Sequence, residues 1–186
     1  MTTFPATLRL PVPLPVFIVL ATLLLGTPSG HAASTPEINR EVDKALVRFQ
    51  QFDGARAYLD IARGVLVFPK VYKVGIGGEY GEGALRVDGK TVDYYSTAAA
   101  SSGFQLRAQA KTLIVLFTRE DALSQFRASE NWKVGVDGAV VLVDLDAGKA
   151  VGTPHIQDPV VGFVFGQKGL MYKLSLEGAQ FTRLRK

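Results

Sequence analysis

The sequence predicts an α+β domain in which N-terminal helices pack on a largely antiparallel, glycine-rich β-sheet or partial barrel, with one further helix between strands. Three observations predict it. Residues 35–52 repeat apolar side chains at spacings of three and four. From Val65 onward the apolar period falls to two, and short runs alternate with glycine-centred turns. A single later stretch, 118–126, returns to helical spacing. No linker, repeat or low-complexity block separates these parts, so one domain over 33–186 is expected, its helices and strands sharing a core.

The first 32 residues stand apart from that domain. Arg9 precedes a Pro-interrupted apolar stretch that ends in Val16–Leu25, ten residues broken only by Thr22. A spanning helix needs about 20 apolar residues, whereas the apolar region of a removable signal peptide needs roughly 7 to 15. Gly26, Pro28, Ser29 and Gly30 break the run, and Gly30-His31-Ala32 places small residues before Ala33. Cleavage before Ala33 and a periplasmic or otherwise exported location are therefore expected. The chain has no cysteine, which excludes a cysteine-linked lipid anchor and leaves the domain to be held by its core without disulfides.

Thr35, Pro36 and Glu37 read as a helix start, with a hydroxyl cap, a proline at the first helical position and a carboxylate in the first turn. Ile38, Val42, Ala45, Leu46, Phe49 and Phe52 then form one apolar stripe, with Arg40, Glu41, Lys44, Arg48 and Gln51 facing away. Asp53-Gly54 interrupts the run, and 55–62 reads as a second short helix with Gly64 just past its end. Val65–Phe68 is β-type and is stopped by Pro69; 71–76 alternates. Asp88-Gly89 between 84–87 and 91–95 is a type I′ hairpin signal. Strands are expected at 103–110 and 113–117, then a helix capped by Thr118 with Asp121 three residues on. Strand returns over 132–145, where Ala139–Val143 reads as covered on both faces. Residues 146–159 are irregular, and 160–165, 170–176 and 179–184 close the sheet.

Several chemistries fail on their own residue requirements. The glycines at 75, 77, 78, 81 and 83 lack the dinucleotide pattern, which breaks at Tyr80 and opens no helix. They read instead as positions where strands bend or approach closely. Gly89-Lys90-Thr91 follows Gly83 at the wrong spacing for a phosphate loop. Without cysteine or a Gly-x-Ser-x-Gly elbow no activated nucleophile is evident. With residues 1–32 removed, His155 is the remaining histidine; it and Asp158 read as loop residues, and Asp144 and Asp146 as solvated carboxylates at a turn. No catalytic residue, metal or cofactor is expected. The net charge of +4 comes from cations scattered among acids, without the basic groove that nucleic acid needs.

Five blocks in order are familiar. Ala62–Pro69, Gly77–Gly83, Gly103-Phe104-Gln105 through Gln109, Trp132–Gly135, and Lys168-Gly169-Leu170 through Gly178 resemble the SYLF domain, the family also known from a yeast actin-binding endocytic protein with an SH3 domain. The resemblance runs from Ile38 to about Phe181. It implies a lipid-binding module: eukaryotic relatives bind phosphoinositide membranes, partly through an N-terminal amphipathic helix, and some bundle actin, while exported bacterial relatives stand alone. Actin is implied by the family name and is not an expected partner in an envelope.

Two departures from the family pattern add charge where small residues are common, namely Arg107 after Gln105-Leu106 and Lys173 in Met171-Tyr172-Lys173. With Lys44 and Arg48 on the first helix and Lys168 beside Gly169, they form the expected contact set for anionic phospholipid headgroups: Lys44, Arg48, Arg107, Lys168 and Lys173. The resulting expectation is a non-enzymatic, exported lipid- or membrane-surface-binding protein. Each cation near an anionic surface is worth about 1 kcal/mol, so association is peripheral and a homo-oligomer would strengthen it by avidity. The alternative is a structural or protein-interaction module of the bacterial envelope.

Overall fold

The computed structural model describes residues 33–74, 77–100, 110–146, 155–166 and 176–186. Helix α1 (Thr35–Phe49) and α2 (Ala55–Ile61) precede β1 (Gly64–Val74), β2 (Gly78–Val87), β3 (Lys90–Ala100) and β4 (Ala110–Phe117). Then come α3 (Glu120–Ala128), β5 (Asn131–Lys133), β6 (Val141–Asp144), β7 (Val160–Phe165) and β8 (Gln180–Leu184). The strands form one eight-stranded sheet in the order β5-β8-β3-β2-β1-β4-β7-β6. Every pairing is antiparallel except that of β6 with β7. The α+β class and the helix-on-sheet arrangement are as the sequence indicates.

The connectivity forces the sheet to curl. β5 and β6 lie at opposite edges, yet Lys133 and Val141 are eight residues apart. Seven strand spacings of about 4.8 Å would separate the edges of a flat sheet by about 34 Å, and eight extended residues reach only about 26 Å. A turn shortens that reach further, because Asp137 N–H and Val136 N–H both donate to Lys133 O, at 2.9 and 3.2 Å. The result is a half-barrel. Trp132 of β5 and Leu142 of β6 accordingly meet in one cluster with Leu66, Phe68, Leu85, Val115 and Phe181 from the strands between.

That inner face is plugged by α3. Phe126 lies 4.8 Å from Phe117, 4.9 Å from Tyr95 and 5.6 Å from Trp132, ring to ring, within the range where aromatic pairs attract. The outer face carries α1 and α2 on Val67, Ala84, Ile114, Leu116, Val161, Phe163 and Phe165. The alternation along β4 makes the division plain: Leu113, Val115 and Phe117 point in, Ile114 and Leu116 out.

Several local expectations need correction. The α1 cap is Ser34, not Thr35, with Pro36 in the first turn. Thr118 does not cap α3, whose cap is Arg119; its hydroxyl donates to Asp158 O at 2.6 Å, tying β4 to the approach to β7. Gly64 is the first residue of β1, and a side chain there would meet Leu123 of α3 at 2.6 Å. Pro69 does not end a strand, because β1 passes it in a bulge seen in both pairings, where a missing N–H is tolerated. Residues 132–145 are two short strands, and β6 is an edge strand only partly buried. Residues 103–109 and 170–175, expected as strand, lie outside the described residues.

Candidate functional site

The amphipathic period of α1 fixes what the helix can offer. Ile38, Val42, Ala45 and Phe49 are buried, and the Phe49 ring sits 5.0 Å from Phe163 and 6.2 Å from Phe165. Polar contacts hold the helix on the sheet: Asn39 donates to the Tyr94 hydroxyl at 2.9 Å, Thr91 donates to Asn39 at 2.7 Å, and Asp43 pairs with Arg86 at 2.7 Å. The apolar stripe is thus core, and α1 presents to solvent Glu37, Arg40, Asp43, Lys44, Val47 and Arg48, with Val47 60% exposed.

Lys44 and Arg48 are one turn apart on this exposed flank. Glu41 accepts from Lys44 at 2.7 Å and from Lys70 of β1 at 3.0 Å. Those two ammonium groups, Lys44 first, hold the Glu41 carboxyl down at about 2, and Glu41 in turn raises Lys70. The Arg48 guanidinium lies over the Phe165 ring, 5.4 Å from its centroid, beside Gly166, whose φ is +82°. A Cβ at Gly166 would come within 3.1 Å of that guanidinium.

Register places several chain ends together. Val74 pairs with Gly78, Gly78 with Ala100, Tyr72 with Ala110, Thr112 with Phe165, and Ala98 with Gln180. The end of β1, the start of β2, the end of β3, the start of β4, the end of β7 and the start of β8 therefore share one end of the sheet. Of the five expected cations the structure places two, Lys44 and Arg48, and brings them together. Arg107, Lys168 and Lys173 lie outside the described residues; in sequence they belong to the connections that depart from Ala100 and Gly166 at that end.

The same end holds residues the sequence did not single out. Tyr72 and Tyr80 are directly opposed across β1 and β2 and are 43% and 42% exposed. Their outer neighbours in the same row are Ala110 on β4 and Ala98 on β3. The Tyr80 hydroxyl donates to Glu82 at 3.0 Å, and burial, then Glu82, push its pKa up to about 12. The other Glu82 oxygen accepts from Lys186 at 2.7 Å, and Lys186 also reaches the Ala33 carbonyl. Alternation along 71–74 indicates that Tyr72 faces away from Val71. Its partner is set by the bulge at Pro69, a register shift no local pattern reveals.

Elsewhere, His155 Nδ1 and Asp158 share a hydrogen bond of 2.9 Å, and Asp146 N–H donates to Asp144 at 3.0 Å. Among the described residues no group of three His, Cys, Asp or Glu side chains is arranged to hold a metal. Nor is any helix among them long and apolar enough to cross a membrane. The fold defines an α+β half-barrel with helices on both faces of its sheet. No family model matches the sequence, and no curated protein matches it.

Proposed function

We propose that this protein is an exported, non-enzymatic member of the SYLF family that associates peripherally with anionic phospholipid surfaces, using Lys44, Arg48, Arg107, Lys168 and Lys173 as headgroup contacts. The observation that carries the reading is the division of labour on α1. Its apolar stripe is engaged in the core while Lys44, Val47 and Arg48 face water, so the helix offers charge without leaving the domain. The five SYLF-like blocks and the signal-like segment ahead of Ala33 support it. Because Lys44 shares Glu41 with Lys70, its pull on a surface is less than the ~1 kcal/mol of an unshared cation, and binding is weak and reversible.

The test is co-sedimentation of protein purified from cells expressing the whole chain. Vesicles of phosphatidylcholine alone are compared with vesicles containing phosphatidylglycerol, across ionic strength. Pelleting is expected with anionic vesicles, fading toward 1 M salt, where the Debye length is about 3 Å. Lys44→Glu with Arg48→Glu should weaken it by about tenfold or more. No pelleting with either vesicle at low salt overturns the proposal and favours a protein partner in the envelope.

A further inference from the structure

We infer that Lys186 is a clasp on the junction ahead of α1, so that the bond before Ala33 is open to a peptidase only while β8 is undocked; the inference rests on the reading of that bond as the export cleavage site. The Lys186 ammonium donates to the Ala33 carbonyl and to Glu82 of β2, the latter at 2.7 Å. Both side chains of this ion pair are largely buried, 13% and 12% exposed. The second Glu82 oxygen is held by the Tyr80 hydroxyl at 3.0 Å. A pair fixed in this way is not the loose, screened contact of an open surface.

The clasp falls on the residue that a peptidase must grip. Recognition of an extended peptide uses its backbone hydrogen-bonding groups, and a peptidase needs them free on both sides of the bond it cuts. Here Ala33 packs against the outer core, its carbonyl is taken by Lys186, and Thr35 is already helical. The cap residue, Ser34, makes no side-chain bond to the first turn, so the fastening at this point comes from a residue 153 positions away. Lys186 lies two residues beyond the end of β8 at Leu184 and is carried to Ala33 by the pairing of β8 with β3. A chain cut before that pairing loses its apolar segment 16–25, and a chain that closes first keeps it. Cleavage of a folded chain tracks the population of its open form, so loosening the clasp raises the rate.

The test uses the full uncut chain, made without export and kept in detergent, with a purified signal peptidase. Refolded wild type is compared with wild type diluted from urea directly into the peptidase, and with refolded Lys186→Met and Lys186→Arg. Trp132 emission, sensitive to stacking on Phe181 of β8, verifies that β8 is docked in each refolded sample. The urea-diluted chain should yield a product beginning at Ala33, and refolded wild type and Lys186→Arg should be cut about tenfold more slowly or less. Lys186→Met should regain about tenfold. Glu82→Gln, which breaks the ion pair and keeps an acceptor for Tyr80, should move the same way. Refolded wild type cut as fast as the urea-diluted chain overturns the inference and leaves the cleavage site standing. Lys186→Met and Glu82→Gln chains with β8 docked and wild-type resistance overturn it as well. Absence of a product beginning at Ala33 from the urea-diluted chain overturns the cleavage reading and this inference together.

Discussion

Phe49→Ala decides whether the amphipathic face of α1 is core. Phe49 is fully buried between Phe163 and Phe165, and Phe163 in turn meets Tyr58 of α2 at 5.0 Å, so the ring couples both helices to β7. Truncating a buried phenylalanine costs about 3–5 kcal/mol, and each aromatic pair adds about 0.5–1.5 kcal/mol beyond burial. β7 is hydrogen-bonded to β4 on one side and β6 on the other, so it cannot move in to fill the void. The loss therefore belongs near the upper end, about 4–5 kcal/mol. At about 2–4 °C per kcal/mol for a domain of this size, Tm falls by about 8–20 °C. Urea unfolding of the purified protein is the assay, with Val47→Ala on the exposed face as the control, expected within about 0.5 kcal/mol of wild type. A Phe49→Ala loss below about 1 kcal/mol, or unchanged stability with vesicle binding abolished, would refute the packing assignment and make α1 an inserting helix.

Three further outcomes are expected. Gly83→Ala should destabilise by about 3 kcal/mol, because its Cβ would lie 2.0 Å from Val67 O; Gly89→Ala meets nothing within 4 Å and should cost only the ~1–2 kcal/mol of its left-handed backbone, so urea midpoints in the reverse order would contradict the geometry. Glu41 is depressed from 4.5 to about 2, so its contribution to stability is present above pH 4.5 and is lost as pH falls toward 2; Glu41→Gln should flatten that part of the Tm-against-pH curve, and parallel curves would remove the Lys44–Glu41–Lys70 link from the account. N-terminal sequencing of the purified protein should begin near Ala33, and a chain retaining Leu25 would overturn the cleavage assignment.

Local order was legible where one segment carries its own signal. The α1 period predicts the buried Ile38, Val42, Ala45 and Phe49, while Leu46 is only partly buried and Phe52, also partly buried, lies past the end of the helix. Asp88-Gly89 announces its turn, and both residues take positive φ, 49° and 75°, as a type I′ turn requires. The glycine cluster is a place of close approach, since side chains at Gly81 and Gly83 would strike the β1 backbone beside its bulge at 2.6 and 2.0 Å. What the sequence hides depends on distant partners. The apolar run 139–143 resembles a covered strand, but among the described residues β6 finds only β7. Thr118 looks like a cap until Asp158 O claims its hydroxyl. Lys44 and Arg48 are visible as a cationic flank, whereas the ledge of Tyr72 and Tyr80 exists only once β1 and β2 are in register.

The strand order also dictates a sequence of events. β8 lies between β3 and β5, and among the described residues β5 pairs with no other strand. Trp132 stacks on Phe181 at 5.9 Å with their planes 3° apart, and Phe68 stacks on the same ring at 5.4 Å. A chain emerging N-terminus first can assemble the β1–β3 meander early, since each of its strands pairs with the next, whereas β4 must return to β1 across 38 to 53 residues. The indole of Trp132 meets Phe126 of α3 edge-on, but its stacking partner and its strand neighbour arrive only with residues 180–184. Pairing β8 with β3 joins residues 82 to 90 apart in sequence, the kind of long-range step that slows β-rich folding, so Trp132 fluorescence should report a late stage of refolding, after the β1–β3 meander has formed.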